Sequence, residues 1–137
     1  MTRAVVLLAA LSLTLFPFLG CGRGAPSLGK VSGTVTLDGE PLPLAKIEFQ
    51  PKETGKSPSY ARTDEAGNYT LMYSVDLPGA LPGEHTVRIT TYRQEHQEIG
   101  PPKEFPERLS ARYNSETDLT REVTSGSQTI DFELESR

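Results

Sequence analysis

The chain has 137 residues and a formal net charge of −4, a length that suits one domain with a self-supporting core. No Lys/Arg cluster accompanies that acidic balance, which argues against nucleic-acid partners and against an electrostatic grip on anionic lipid. Eleven prolines, twelve glycines and no tryptophan favour strands joined by turns over long helices, as do the Thr and Val residues recurring through the second half.

The first element is a targeting segment. Arg3 gives residues 1–20 a positive start, Ala4 to Phe16 form an apolar run, Pro17 breaks it and Gly20 ends it. This is the layout of a secretory signal, read as a signal helix. At about 13 residues the run is too short to cross a ~30 Å hydrocarbon layer comfortably, which weighs against an uncleaved anchor.

Cys21 follows as the sole cysteine, so no internal disulfide can form. Phe18-Leu19-Gly20-Cys21 resembles the lipobox of bacterial lipoproteins, with Phe18 where Leu is usual. That resemblance implies a diacylglyceryl group on the Cys21 sulfur, cleavage before Cys21 and acylation of the new amino terminus. Several acyl chains anchor stably where one is marginal. The membrane is then a partner through the lipid on Cys21. Gly22, a non-Asp residue, points to the outer membrane, facing the periplasm or the cell surface. Residues 21–29 are small and turn-rich and read as a flexible tether; residues 30–137 form the domain.

Val31, Gly33, Val35 and Leu37 alternate with Ser32, Thr34 and Thr36, the period of a half-buried strand, and Asp38-Gly39 closes it in a hairpin-type turn. Ala45, Ile47 and Phe49 alternate as a second strand, and residues 51–58 read as a loop. Tyr60 to Thr63 is a third strand, Asp64 to Asn68 a turn, and Tyr69, Leu71 and Tyr73 mark a fourth. Pro78-Gly79 and Pro82-Gly83 are turn signals. His85 to Tyr92 is β-branched and alternating, the strongest strand. Residues 93–108 form a long charged loop with Pro101, Pro102 and Pro106. Leu119 to Val123 and Thr129 to Leu134 close the domain. About seven strands spaced by turns predict an all-β fold, a seven-stranded antiparallel sandwich.

Four segments carry a family resemblance. Val31 to Leu42 resembles the V-x-G-x-V opening and Pro-Leu step of carboxypeptidase regulatory-like domains. Ala45 to Phe49 resembles their second strand, Thr63 to Leu71 their T-D-x-x-G-x-Y-x-L hairpin, and Pro82 to Ile89 their P-G-x-Y-x-V strand, with His85 in the aromatic's place. The resemblance implies a transthyretin-like, immunoglobulin-like sandwich and no activity, because the peptidase domain that such modules accompany in carboxypeptidases is absent from this chain.

The residues offer little chemistry. Catalytic zinc needs three protein ligands; His85, expected on the sheet surface, and His96, expected in solvent, supply too few. Asp64 to Asn68 lacks the offsets of a calcium loop. There is no nucleophile elbow and no phosphate loop, and Asn68-Tyr69-Thr70 is an incidental sequon. No cofactor, metal or catalytic residue is expected. The long loop is the candidate partner site, through Arg93, Glu95, His96, Glu98, Lys103, Phe105 and Arg108, because long loops in compact domains are often functional. The expected role is a non-enzymatic, lipid-anchored cell-envelope module with a structural or protein-interaction function. The alternative is a carbohydrate- or peptide-binding accessory module using Tyr60, Tyr73 or Tyr92, residues that fit a core or edge place equally well.

Overall fold

The computed structural model describes residue 24 and residues 26–137; the signal segment, Cys21 and part of the tether lie outside the described residues. The strands are β1 (Gly29–Leu37), β2 (Glu40–Pro41), β3 (Lys46–Pro51), β4 (Ser59–Arg62), β5 (Asn68–Thr70), β6 (Met72–Ser74) and β7 (Leu77–Pro78). After them come β8 (Gly83–Thr90), β9 (Arg93–Glu95), β10 (Lys103–Phe105), β11 (Thr120–Val123), β12 (Gly126–Thr129) and β13 (Phe132–Leu134). One turn of 3-10 helix, Ala111–Tyr113, precedes β11, and no α-helix occurs among the described residues. The fold is all-β, as the alternation requires.

Two sheets enclose one core. Six strands lie in the order β11-β8-β3-β4-β6-β7, antiparallel throughout. The other sheet is built around β1, with β2 and β5 antiparallel to it and β12 and β13 parallel. Ile47, Phe49, Val87 and Ile89 from the first meet Val31, Val35, Tyr69 and Phe132 from the second. Phe132 sits edge-on to Phe49, with ring centroids 6.2 Å apart. Each such side chain contributes about 1.5–3 kcal/mol on burial.

The described residues form thirteen short strands where seven are expected, and the backbone differs from the sequence reading in three further places. The C-terminal strands run parallel to β1, where an antiparallel sandwich was expected. Alternation reports which face is buried and carries no strand direction. Second, Tyr69 to Tyr73 is no single strand. Leu71 is a fully buried corner, its N–H donating to the Val31 carbonyl at 2.9 Å, and the chain passes there from β5 in one sheet to β6 in the other. The even alternation continues through the corner and hides it. Third, the segment 93–108 contains a hairpin, β9 with β10.

The close approach of β1 and the C-terminal strands explains a glycine in the opening motif. A Cβ on Gly33 would lie 1.9 Å from the Ile130 carbonyl oxygen. Between β12 and β13, the Asp131 carboxylate accepts the Thr34 N–H at 2.8 Å and its hydroxyl at 3.1 Å, filling the ladder position where the backbone does not.

Candidate functional site

The segment 93–108 is held from below and free above. In the hairpin, Arg93 faces Phe105, Gln94 faces Glu104 and Glu95 faces Lys103. The Arg93 guanidinium lies 3.6 Å from the Phe105 ring centroid and the Lys103 ammonium 4.8 Å from it. Both contacts use the attraction of cations for an aromatic face. Arg93 Nε also donates to Glu95 at 3.2 Å, and Gln94 to Glu104 at 2.7 Å. Four of the seven sequence-chosen residues, Arg93, Glu95, Lys103 and Phe105, thus form one cluster. His96 and Glu98 stand apart in the exposed tip, beside Ile99 at 91% exposure. Arg108 lies past the base, its N–H donating to the Thr91 hydroxyl at 2.7 Å.

Glu107, absent from the sequence-chosen set, fixes that base. Its carboxylate accepts the Thr90 hydroxyl, the Thr91 hydroxyl at 2.7 Å and the N–H groups of Thr91 and Leu109, both at 3.0 Å. Partial burial works to raise its pKa, but the hydrogen bonds from Thr90, Leu109 and Thr91 outweigh it and lower the value to about 2. No fixed spacing signals this clamp, because its Thr90 and Thr91 partners lie seventeen and sixteen residues upstream.

The hairpin stands at one pole of the sandwich. Gly29 pairs with Gly126 and Ala80, close to Val123, which itself pairs with Gly83, so β1 and β8 start at the same end. At the other end, Asn114 reaches the Ile89 carbonyl, and the Tyr113 hydroxyl receives the Glu135 N–H next to Leu134. β8 therefore runs away from the tether and delivers the hairpin to the far pole.

His85 corrects the sequence reading. It is 1% exposed, inside the core, with its ring 5.8 Å from that of Phe49. The side chain belongs to the inward set of β8 with Val87 and Ile89. Nδ1 lies 2.9 Å from the Gly83 carbonyl, while Nε2 is buried without a partner. Burial lowers its pKa, against the opposing pull of the Gly83 carbonyl and Glu122. Among the described residues no three His, Cys, Asp or Glu side chains are grouped to hold a metal ion, and no helix is long and apolar enough to cross a membrane.

These features define a small β-sandwich that carries an ordered, clamped arm. No protein-family model matches the chain, and no curated protein matches it. Among solved structures it is similar to a DUF3823 family protein from Parabacteroides merdae, at 16% identity and a TM-score of 0.43, over 80% of this chain and 46% of that one. It is also similar to a 9R-lipoxygenase from Cyanothece, at 17% identity and a TM-score of 0.39, over 76% of this chain and 16% of that one. The chain thus spans less than half the length of either structure.

Proposed function

We propose that this chain is a non-enzymatic lipoprotein of a bacterial cell envelope. Its sandwich is of the carboxypeptidase regulatory-like kind, and its hairpin serves as a protein-docking arm. The observation that carries the reading is the geometry of that arm. Glu107 pins its base with bonds to Thr90, Thr91 and Leu109, while its tip holds the exposed Ile99. A pre-ordered arm binds with less loss of conformational entropy than a loose loop. An acylated Cys21 would place the lipid at the Gly29 pole, with a short tether between. The arm at the other pole would then face away from the membrane.

Two measurements test this. Lysine-reactive crosslinking with mass spectrometry on intact cells is expected to join Lys103 to envelope proteins, and Ile99→Asp to remove those links while the melting temperature stays within about 1 °C. Absence of Lys103 links refutes the docking role. Cys21→Ser is expected to move the protein from membrane to soluble fractions; persistence in membranes refutes the lipid anchor.

A further inference from the structure

The outer face of the six-stranded sheet differs in charge from the molecule as a whole. The chain is net −4, yet strand register gathers three cations on one half of this face. Lys46 on β3 pairs with Arg62 on β4 and Thr90 on β8, and Glu48, one step along, pairs with Arg88 and Tyr60. Arg88 is neutralised by Glu48 at 3.1 Å. Glu107, at the margin, has its oxygens engaged by Thr90, Thr91 and Leu109. Among the described residues, neither Lys46 nor Arg62 forms an ion pair.

An aromatic platform lies among these charges. Tyr60 is 41% exposed, and the Lys46 ammonium stands 4.8 Å from its ring centroid. Next to it runs a groove of about 350 Å³, floored by Lys46, Glu48, Arg88 and Thr90 and walled by Glu107, Asn114 and Ser115. The groove therefore offers aliphatic stems, hydroxyls and an amide beside one cation without an ion partner, Lys46, with Arg62 next to it in register on the same face.

We propose that this face binds an anionic oligosaccharide, a chain of sugar rings carrying carboxylates. The apolar face of a sugar ring matches the Tyr60 ring, whose body is apolar and whose tip is polar. Carboxylates on the sugar meet Lys46 and Arg62 in charge-assisted hydrogen bonds. Hydroxyls of the next ring meet Thr90, Asn114 and Ser115. An acidic peptide matches the cations but gives Tyr60 no ring to stack on. The site borders the base of the arm through Thr90 and Glu107, but Tyr60 and Lys46, the residues varied to test it, lie outside the arm, so the two readings fail separately.

Calorimetric titration of the detergent-solubilised full chain with tetragalacturonate tests the proposal, with cellotetraose and tetraglutamate as comparison probes. Tetragalacturonate is expected to bind, to weaken as salt rises, and to exceed both comparison probes by about tenfold, the equivalent of 1.4 kcal/mol. Tyr60→Ala and Lys46→Gln are each expected to lower the affinity about tenfold, and Tyr60→Phe to retain it. Both positions are at the surface, and an unchanged circular dichroism spectrum verifies the fold. Failure of tetragalacturonate to bind, equal or tighter binding of tetraglutamate, or an unchanged affinity in Tyr60→Ala overturns the proposal.

Discussion

Two carboxylates each hold a bend of this molecule, over very different reaches. The Asp64 carboxylate accepts the N–H groups of Ala66 and Asn68, both at 2.9 Å, within its own turn. Glu107 gathers the ends of a hairpin that begins and closes far apart in sequence, binding Thr90 and Thr91 on one side and Leu109 on the other. The first is a local device that any chain with Asp and Gly at the right offsets can build. The second exists only after β8 has formed and the chain has returned. The short device is tied to β1 through the Gly67 carbonyl, which accepts the Val35 N–H at 2.8 Å, and the long one supports the exposed arm. Damage to the two is therefore expected to differ in kind: loss of the whole fold at one, loss of the arm at the other.

The largest effect is expected at Gly67. Its φ is +78°, and a Cβ there would lie 2.5 Å from the Val35 carbonyl oxygen. Backbone strain and collision with β1 add, so Gly67→Ala is expected to cost about 3 kcal/mol. A lowered urea midpoint with all probes moving together is the expected result. A variant that kept its stability would show that the turn can move away from β1.

Glu107→Gln comes next, at about 1–2 kcal/mol. The neutral amide cannot accept the same set of bonds, and the site is exposed enough that screening reduces the loss. The effect should be local: faster amide exchange at Thr91 and Leu109, with Phe49 and Val87 unaffected. Its sign with pH follows from a folded-state pKa near 2 against an ordinary 4.5. The stabilisation is fully present above about pH 4.5 and is lost as the pH falls towards 2. Glu107→Gln should flatten that acid limb. An unchanged limb would assign it to other carboxylates.

The same contrast explains what was legible in the sequence. The β1 alternation, the Asp38-Gly39 turn and the Asp64-to-Asn68 turn all rest on neighbours in the chain, and each appears where expected, although the Thr63-to-Leu71 segment forms no hairpin because β4 and β5 lie in different sheets. The parallel placement of β12 and β13, the corner at Leu71 and the Glu107 clamp rest on partners far away in sequence, so no spacing rule reaches them. The segment 93–108, read from its prolines and charges as a loop, contains the β9–β10 hairpin. Arg93, Glu95, Lys103 and Phe105 cluster, His96 and Glu98 do not, and the residue that orders the arm was missed. His85 was misplaced because a polar residue in an alternating strand reads as surface, whereas its register with Val87 and Ile89 turns it inward.

His85 gives a smaller and separable effect. Its ring is buried against Phe49 with Nε2 unpartnered, and burial lowers its pKa below the ordinary 6.5. The folded state therefore favours the neutral ring, and stability present above about pH 6.5 declines as the pH falls below it. Glu122 and Gly83 oppose that decline, so it is expected to be shallow. His85→Leu should remove the loss between pH 6.5 and 5 and leave the steeper one below 4.5. If the upper loss persists in His85→Leu, a group other than His85 carries it.

The smallest effect is expected at Leu44, and it has the opposite sign. Leu44 is held at φ +59°, a left-handed conformation unfavourable for a branched side chain. What holds it is distant: its N–H donates to the Thr63 carbonyl at 3.1 Å, while the Thr63 hydroxyl receives the Ala45 N–H at 2.9 Å and donates to Leu42 at 2.6 Å. Long-range bonds thus override a local preference here, the reverse of the Asp64 turn, where both agree. Leu44→Asn keeps the backbone bonds and suits the left-handed region, so it should stabilise the fold by about 0.5–1 kcal/mol. Leu44→Gly should gain less, because the unfolded chain gains freedom too. A rise in urea midpoint at constant slope reads out the first. A fall would mean that the half-exposed Leu44 side chain packs more productively than its strained backbone costs.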